Sequence, residues 1–288
     1  LLLFSPKICV TLPSIMQYEL FPEQYIFFSL GSGSSGNSYY LGNGTHGIMI
    51  DAGIGPRITR KRLAEHGVDM TKIYGVLITH DHYDHIKSVA QLGNNQNIPI
   101  YATRGVHKGI SANPMVKQSI NGSRKFIEKM EPFTIGDFKI TAFDVPHDSM
   151  DSVGYFIEFG KHRLMIATDV GKPTEEIRQF MTQANHLVIE SNYDEEMLQR
   201  GSYPYHLKER ITNGTGHLSN RQAAEFVVEN FNGKIKNIWL CHLSGDNNTP
   251  ELALQTMTHR QTTEGIGVGR DVAVDVFRRN KLSEKYYL

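Results

Sequence analysis

The sequence predicts a strand-rich α/β fold. From residue 25 onward, short apolar runs rich in valine, isoleucine, tyrosine and phenylalanine alternate with amphipathic stretches and turn residues. Neither a low-complexity tract nor a long linker interrupts this alternation. The 288 residues are enough for one large domain or two small ones. Because the pattern is unbroken, we predict one domain over residues 25–288.

Apolar runs of high β-propensity, bounded by turn residues, mark the strands. The predicted strands are 25–30, 38–41, 47–51, 75–79, 98–102, 138–145, 154–159, 163–168, His186–Glu190, Asn237–Cys241 and 272–277.

Helix signals stand between these strands. Residues 56–65 begin with proline and are followed by Gly67, residues 173–182 have acidic residues in their first turn, and residues 195–200 follow Asp194 as an N-cap. Two later helices have the most complete start signals. These signals are the capping-box form Ser219-Asn-Arg-Gln222 and the sequence Thr249-Pro250-Glu251, which combines an N-cap, a first-turn proline and an acid.

Composition and charge exclude several classes of protein. Hydrophobic residues make up 40% of the chain and charged residues 21%, which excludes a disordered or collagen-like chain. Lys and Arg together number 30, as do Asp and Glu, so the formal net charge is zero. A polyanionic partner must therefore be held by a local patch or by a metal rather than by overall attraction.

Two features predict the cellular setting. The cysteines Cys9 and Cys241 are too few for a disulfide framework, which predicts a reducing cytoplasm. No apolar run reaches about 18 residues, so we expect a soluble protein without a membrane partner. Residues 1–24 lack a clear signal-peptide pattern, and we expect an N-terminal extension without function, in which Met16 is an internal start candidate.

Four side chains able to bind metals stand within six residues, after the apolar run 74–79. The segment reads His80-Asp-His-Tyr-Asp-His85. Alternation along an extended chain sends His80 and His82 to one side, while Asp84 and His85 follow a turn and can face a neighbouring point. One loop could thus hold two cations. The alternative, a solvated loop, would leave these titratable groups at the edge of a core strand at a cost in free energy.

Further candidate ligands follow other apolar runs. Residues 138–145 lead into His147, residues 163–168 into Asp169, and Asn237–Cys241 into His242. Asp51 ends another run, residues 47–50. Because open α/β sheets place their active sites just past the carboxyl ends of strands, we expect these side chains to join the segment from His80 to His85.

This ordered set resembles the five motifs of the metallo-β-lactamase superfamily over most of the chain. The resemblance implies an αββα four-layer sandwich, two central sheets with helices outside, and a dinuclear metal site at one edge. The ligands that it implies are His80, His82 and His147 for the first ion, Asp84, His85 and His242 for the second, and Asp169 as a bridge between them.

The chemistry of these ligands leaves the metal open. Imidazoles and carboxylates without thiolate suit Zn²⁺ and also Mn²⁺. Cys241 precedes His242 in the strand and should face the opposite way, so we expect it in the core. In the superfamily, the position of Asp51 supports the ligand loop by orienting an imidazole from behind. The alternative is that Asp51 only caps a turn.

Five further segments look like the YycJ/WalJ-type branch of the superfamily. They are Ser29-Leu-Gly-Ser-Gly-Ser-Ser-Gly-Asn-Ser38, His147-Asp-Ser-Met-Asp-Ser-Val-Gly-Tyr155, Glu190-Ser-Asn-Tyr193, Tyr203-Pro-Tyr-His-Leu-Lys-Glu-Arg-Ile211 and Gly216-His-Leu-Ser-Asn220. The branch is nuclease-like and related to RNase J and the tRNA 3′-processing phosphodiesterases. Ser88 departs from the superfamily pattern, which often has glycine there, and this leaves the ligands untouched.

His217 lies just before the predicted helix start at Ser219. A phosphate there would face unpaired backbone N–H groups, a positive dipole end and an imidazole together, which favours a phosphodiester over an amide. The resemblance of its segment to the Gly-His segment of RNase J-type nucleases implies that His217 contacts the scissile phosphate or protonates the leaving oxygen. The alternative is a histidine that only caps a turn.

Four residues are candidate substrate contacts: Ser35, Asn37, Lys208 and Arg210. Backbone N–H groups between residues 32 and 37 could meet the substrate, but glycine, serine and asparagine are equally what a tight hairpin needs. Lys208 and Arg210 could bind flanking phosphates or remain solvated charges.

The sequence therefore predicts a hydrolase with two Zn²⁺ or Mn²⁺ ions that cleaves phosphodiester bonds, as a nucleic-acid exonuclease with DNA favoured over RNA. Asp84 would orient the attacking water and His217 would assist the leaving group. A thioesterase of the glyoxalase II type, or a lactonase, would use the same metals but has no obvious need for the segment 216–220. A metal-binding scaffold without turnover is the third hypothesis.

Overall fold

Two β-sheets lie face to face at the centre of the protein. The structure, a computed structural model, describes residues 24–288, so Cys9, Met16 and nearly all of the predicted N-terminal extension lie outside the described residues. In chain order the strands are β1 Ile26–Gly31, β2 Ser38–Gly42, β3 Gly47–Ile50, β4 Ile73–Leu77, β5 Ile100–Ala102, β6 Arg124–Phe126, β7 Phe133–Ile135, β8 Phe138–Asp144, β9 Val153–Phe159, β10 His162–Ala167, β11 His186–Glu190, β12 Asn237–Cys241, β13 Ala273–Val276 and β14 Tyr286–Tyr287.

Each sheet contains seven strands and combines an antiparallel with a parallel half. The first has the order β14-β1-β2-β3-β4-β5-β6, and the second β13-β12-β11-β10-β9-β8-β7. In the first sheet the parallel pairs run from β3 to β6. In the second they run from β10 to β13. Parallel strands end at a common edge of their sheet, and this is where the candidate ligands follow them.

Helices cover the outer faces of both sheets. In chain order, the helices of the described residues are α1 Pro56–Glu65, α2 Tyr83–Ile86, α3 Val89–Asn95, α4 Arg104–Ala112, α5 Glu175–Met181, α6 Glu195–Arg200, α7 Tyr205–Thr212, α8 Asn220–Glu229 and α9 Pro250–Thr263, with 3₁₀ turns at Met70–Lys72 and Asn121–Ser123. Apolar residues of α1, α3 and α4 pack on the first sheet. Those of α5, α8 and α9 pack on the second.

The central layer of the core lies between the sheets. Its largest side chains, Phe27, Tyr39, Tyr155, Trp239 and Phe277, are at most 1% exposed. Cys241 is buried in the same layer, as predicted for a core residue. Three apolar layers between four layers of secondary structure confirm the αββα fold that the sequence predicts.

The predicted strands all exist, with ends that differ by at most two residues. Three short strands were missed: Arg124–Phe126, Phe133–Ile135 and Tyr286–Tyr287. Two or three residues have too little alternation to identify a strand. The missed helices are α2, α3, α4 and α7. Two glycines interrupt α4, and α7 lacks a side-chain cap hydrogen bond, so neither has a standard helix signature.

Helix caps fall where the sequence places them, with one exception. Asp194, Ser219 and Thr249 cap their helices, and Ser219 does so in a complete capping box. The predicted helix 173–182 instead begins at Glu175, because the Thr174 side chain accepts a hydrogen bond from the Ile177 N–H and stops the helix there.

In residues 24–288, none of the helices combines the length and the apolar character that a membrane span requires.

Two chain segments cross with backbone contact at the edge where the candidate ligands lie. The N–H of Ala52 donates to the His85 carbonyl, and the N–H of Ser88 donates to the Ala52 carbonyl. A Cβ atom on Gly53 would lie 1.5 Å from the carbonyl oxygen of Asp84. Only glycine therefore allows the segment after β3 to reach the segment that follows β4.

We expect Gly53→Ala to lower the free energy of unfolding by about 3 kcal/mol, because backbone must move to admit the methyl group. Thermal unfolding of the purified variant measures this loss. Gly55→Ala is the matched control, since a Cβ there meets no described atom within 4 Å. Equal melting temperatures for the two variants would contradict the expectation.

Candidate active site

Three of the candidate residues have a left-handed backbone just after a strand. Asp51, Asp169 and His242 have φ angles of 62°, 52° and 54°. This conformation costs a residue other than glycine about 1–2 kcal/mol. Such strain is found at functional sites, where the surrounding structure holds it in place. Here the bends turn three side chains from strand ends toward one point.

The residues after β4 reach the same point through a tight helical turn. His80 remains extended and forms an isolated bridge with Ser152. The chain then enters the one-turn helix α2, which contains Asp84 and His85. This helical turn brings both side chains back toward His80. The turn that the sequence predicts after His82 is therefore present.

All seven candidate ligands come together at this edge. Their potential ligand atoms form groups within 4.8 Å of one another. Three of the groups are His80 with His82 and His147, Asp84 with His85 and His242, and Asp169 with His80 and His85, and a fourth joins Asp169 and His242 to Glu190 and His217. We call the first group triad A and the second triad B.

Asp169 lies between the two triads. Its Oδ2 atom is 3.2 Å from Nε2 of His85 in triad B. Its Oδ1 atom is 3.7 Å from Nε2 of His147 in triad A and 3.2 Å from Nδ1 of His242. A single carboxylate therefore reaches both groups of ligand atoms.

The imidazoles of triad B are held from behind by carboxylates. Nδ1 of His85 lies 2.7 Å from Oδ2 of Asp51, and Nδ1 of His242 lies 2.8 Å from Oε1 of Glu190. An Nδ1–H donated to a carboxylate fixes the tautomer and leaves the Nε2 lone pair for a metal. Both Nε2 atoms face Asp84, at 3.6 and 3.5 Å from its Oδ2.

The imidazoles of triad A show the same arrangement with neutral partners. Nδ1 of His147 lies 3.0 Å from the Gly216 carbonyl oxygen, and Nδ1 of His80 lies 3.0 Å from Oγ1 of Thr79. Each ring thus has one nitrogen engaged by the fold and the other directed into the triad.

The imidazole and carboxylate side chains of the two triads are suitable ligands for divalent cations. Nε2 of His80 is buried and has no hydrogen-bond partner among the described residues. Nδ1 of His82 and Nε2 of His147 face each other at 3.2 Å, so that one donates to the other without a cation, and both can turn their lone pairs to a bound cation. Leaving such groups buried and unpaired costs free energy. Nitrogen and oxygen donors without thiolate suit Zn²⁺ and Mn²⁺ alike.

Charge within the cluster shifts several pKa values. Burial alone would lower the pKa of His242, but Asp169, Asp84 and Glu190 raise it to about 10. Burial likewise opposes the charge on His85, and the surrounding carboxylates raise its pKa well above the ordinary value. Conversely, burial would raise the pKa of Asp169, whereas the adjacent imidazoles lower it well below its usual range. Without metal, protons supply the positive charge that this site requires.

Asp51 supports the site and its backbone at once. Its Oδ1 accepts a hydrogen bond from the Thr79 N–H at 2.9 Å, while Oδ2 receives the His85 ring. The carboxylate is fully buried. It therefore fixes the end of β4 and the orientation of one imidazole together.

Glu190 is a site residue to which the sequence reasoning gave no role. Its Oε1 lies 2.8 Å from Nδ1 of both His217 and His242. Its Oε2 accepts hydrogen bonds from the N–H groups of Val170 and Leu218. A glutamate that ends an apolar strand, as Asp51 does, was the available signal.

His217 faces the cavity beside the triads. Burial would lower its pKa, but Glu190 raises it. The expectation of unpaired N–H groups at this helix start is wrong. Asn220 N–H donates to Tyr193 O, and the capping box of Ser219 and Gln222 uses two more donors. The helix start offers less to an anion than the imidazole does.

The cavity has a volume of about 190 Å³. Its lining includes Ser34, Asn192, Tyr203, Arg210, His217 and His242. Arg210 is ion-paired with Asp148, so its charge is partly used within the protein. Lys208 is half-buried and donates to the Gln199 carbonyl oxygen at 2.7 Å. Neither Ser35 nor Lys208 is among the described residues that line this cavity.

The segment from Ser32 to Asn37 forms a tight turn. Gly33 N–H donates to the Asn37 side chain at 2.7 Å, and Asn37 N–H donates to the Asp84 carbonyl. Nδ2 of Asn37 also lies 3.2 Å from Oδ2 of Asp84. Ser35 Oγ donates to Oδ1 of Asn280, away from the triads. Asn37 thus contacts the candidate ligands directly, whereas Ser35 does not.

Comparison with known proteins decides the family. The profile of the β-lactamase superfamily domain matches residues 46–235. The chain belongs to the metallo-β-lactamase superfamily. "Exodeoxyribonuclease YycJ" of Bacillus anthracis is 33% identical over 84% of this chain and 91% of its own. "Exodeoxyribonuclease WalJ" of Streptococcus pneumoniae is 34% identical over 85% of this chain and 91% of its own.

A solved structure of this superfamily supports the fold. The metallo-β-lactamase fold protein YhfI from Bacillus subtilis superposes with a TM-score of 0.68 at 17% identity, covering 92% of this chain and 99% of its own. Membership confirms the predicted αββα sandwich and makes the protein a metal-dependent hydrolase, for which the fold implies divalent metal ions.

Metal uptake by this superfamily member should release protons. His242, with a pKa of about 10, and His85, with a raised pKa, hold their protons at neutral pH and must lose them before the ring nitrogens bind metal. The apparent affinity for Zn²⁺ therefore rises from about pH 6 to about pH 8, by about tenfold per pH unit for each proton released. Calorimetry in two buffers of different ionisation enthalpy counts the protons, and heats that do not depend on the buffer would contradict this.

Asp51→Asn should weaken metal binding by about 10–100-fold, because the amide no longer places a negative charge behind His85. A competition titration with a chromogenic chelator measures the affinity. Asp69→Asn is the matched control, since that exposed carboxylate also accepts a backbone N–H, from Thr71 at 2.9 Å, but contacts no imidazole. Unchanged affinity in the Asp51 variant would remove Asp51 from the site.

Proposed function

We propose that this protein is a dinuclear-metal exonuclease that hydrolyses phosphodiester bonds in DNA. Its membership in a superfamily of metal-dependent hydrolases fixes the general chemistry. The names of the relatives YycJ and WalJ, which this chain matches over most of their length, support a nucleic-acid substrate and favour DNA. The two triads joined by Asp169 support two ions rather than one.

The observation that carries the proposal is the position of His217. Its ring belongs to neither triad, yet it lines the same cavity as His242 and is 21% exposed. Glu190 engages its Nδ1 atom, which leaves Nε2 for a substrate. A held, partly exposed imidazole with a raised pKa is a proton donor near neutral pH. Cleavage of a phosphodiester needs such a donor at the leaving oxygen.

The two triads and Asp169 would hold two divalent ions, which would supply an activated water and neutralise charge on the phosphate oxygens. The chain itself places the reacting groups. The Asp84 carboxylate, 23% exposed, accepts a hydrogen bond from the attacking water and orients it. His217 gives its proton to the leaving oxygen, and Glu190 stabilises the ring in the donating orientation. In this scheme Arg210 holds Asp148 beside triad A through their ion pair. Residues other than Arg210 then bind the substrate strand.

Digestion of end-labelled substrates tests the proposal. Single-stranded and duplex DNA and RNA are incubated with the protein and Zn²⁺ or Mn²⁺, with bis-p-nitrophenyl phosphate and a glutathione thioester in parallel. Stepwise shortening of DNA is expected. Cleavage of the thioester with no cleavage of either nucleic acid would contradict the proposal and favour carbonyl chemistry on the same site.

Variants separate the metal ligands from the proton donor. His80→Ala and Asp169→Ala should lose bound metal and hydrolysis together, because each removes a ligand. His217→Ala should retain metal and lower kcat by about 10²–10⁴, the range for loss of a general acid. Metal content by atomic emission and steady-state rates give both readouts.

His259→Ala is the control for these variants, since this histidine is exposed on α9. It should match the wild type in metal content and rate. Equal loss of metal and activity in His217→Ala would show that His217 is a ligand, an arrangement that its place beside Asp169, Glu190 and His242 would also allow.

A further inference from the structure

A second cavity adjoins the first and has a basic lining. Its volume is about 240 Å³, and it shares Ser244 with the cavity that contains His217. Arg278, Arg279 and Lys281 line it, and no carboxylate is among its described lining residues. Since the chain has no net charge, a polyanion must be held by a local cation whose charge is not already paired within the protein.

Arg279 occupies the junction between the two cavities. Its NH1 atom lies 3.2 Å from Oγ of Ser34, which lines the first cavity. Two glycines make room for this side chain. A Cβ atom on Gly33 would lie 2.5 Å from Cγ of Arg279, and one on Gly245 would lie 2.1 Å from NH1. The backbone on both sides therefore accommodates the guanidinium at this position.

Arg279 has no acidic partner among the described residues. No described carboxylate lies within ion-pair distance of it, whereas the neighbouring Arg278 pairs with Glu251 at 3.2 Å. Asp246, which follows Gly245, instead accepts a hydrogen bond from Tyr203 at 2.7 Å. A half-buried arginine without an anionic partner among the described residues, next to the cavity that contains His217, is suited to bind a phosphate.

We propose that Arg279 binds a backbone phosphate of the substrate strand adjacent to the phosphate that is cleaved. This inference rests on the proposed function. It states that the substrate strand leaves the first cavity past Ser244 and enters the basic cavity. Arg279 then distinguishes a polynucleotide from a small phosphodiester. A small diester fills the first cavity alone and offers nothing to the second.

The test measures binding separately from hydrolysis. A fluorescein-labelled single-stranded DNA oligonucleotide is titrated with metal-free protein, and anisotropy gives Kd over a range of salt concentrations. Arg279→Gln should raise Kd about tenfold, as expected for a lost charged hydrogen bond. It should also lower the slope of log K against log salt by about 0.7, the value for one phosphate contact on a single strand. Arg279→Lys should restore part of the affinity.

Two further variants control for charge and for folding. Arg278→Gln removes the same charge from the adjacent residue and should leave Kd within about twofold, since that side chain is paired with Glu251. Gly245→Ala keeps every charge but displaces the guanidinium, so it should weaken binding as Arg279→Gln does. Melting temperatures of all four variants establish that they are folded.

Hydrolysis distinguishes this inference from the proposed function. With metal added, Arg279→Gln should reduce kcat/KM relative to the wild type on both substrates or on the oligonucleotide alone. The fold reduction should be about ten times larger for the oligonucleotide than for bis-p-nitrophenyl phosphate. Equal losses on both substrates, or an unchanged Kd and salt slope, would overturn the role of Arg279 while leaving the nuclease proposal intact. A wild-type protein that cleaves neither substrate would instead overturn the proposed function.

Discussion

The structure depends on the burial of many titratable side chains at one edge of a sandwich. Asp51, Asp169 and Glu190 are almost entirely removed from water, as are His80 and His85. Isolated charges at such positions would be very costly. The fold meets this cost by engaging one nitrogen of each ring from behind and by directing the other toward a shared centre. Positive charge at that centre then compensates for the carboxylates, and three strained strand ends are tolerated because they bring those carboxylates and rings together.

Glu190 connects the candidate metal centre to the cavity that contains His217. One oxygen contacts both His242 of triad B and His217 in the cavity, and the other fixes the backbone after Asp169 and His217 through Val170 and Leu218. The proposed proton donor and one candidate ligand ring therefore share a single support. Because both rings draw on one carboxylate, replacing protons with metal at His242 alters the electrostatic environment of His217 as well. Under the proposed function, metal binding at His242 and the acidity of His217 are therefore coupled.

Local patterns made the framework predictable, and tertiary contacts made the remainder unpredictable. Alternation and caps identified the long strands and helices such as α1 and α8, because those signals lie within each segment. Motif spacing identified the candidate ligands. Arg279 could not be found in this way, since its relation to Ser34 spans 245 residues. The pairing of Arg210 with Asp148 across 62 residues was equally invisible, because a basic residue has no local signal that shows whether its charge is free.

Electrostatics also determines the order in which this site can act. Without metal, the protons on His85 and His242 balance only part of the negative charge that Asp84, Asp169 and Glu190 place beside the first cavity, and the overall charge of the chain adds nothing to that balance. Bound cations reverse the sign of this local field. Arg279 adds positive charge on the one side of the cavity where the described residues leave a cation unpaired. Under the proposed function, a polyanionic strand is thus drawn first to the basic cavity and enters the first cavity only where metal has replaced protons.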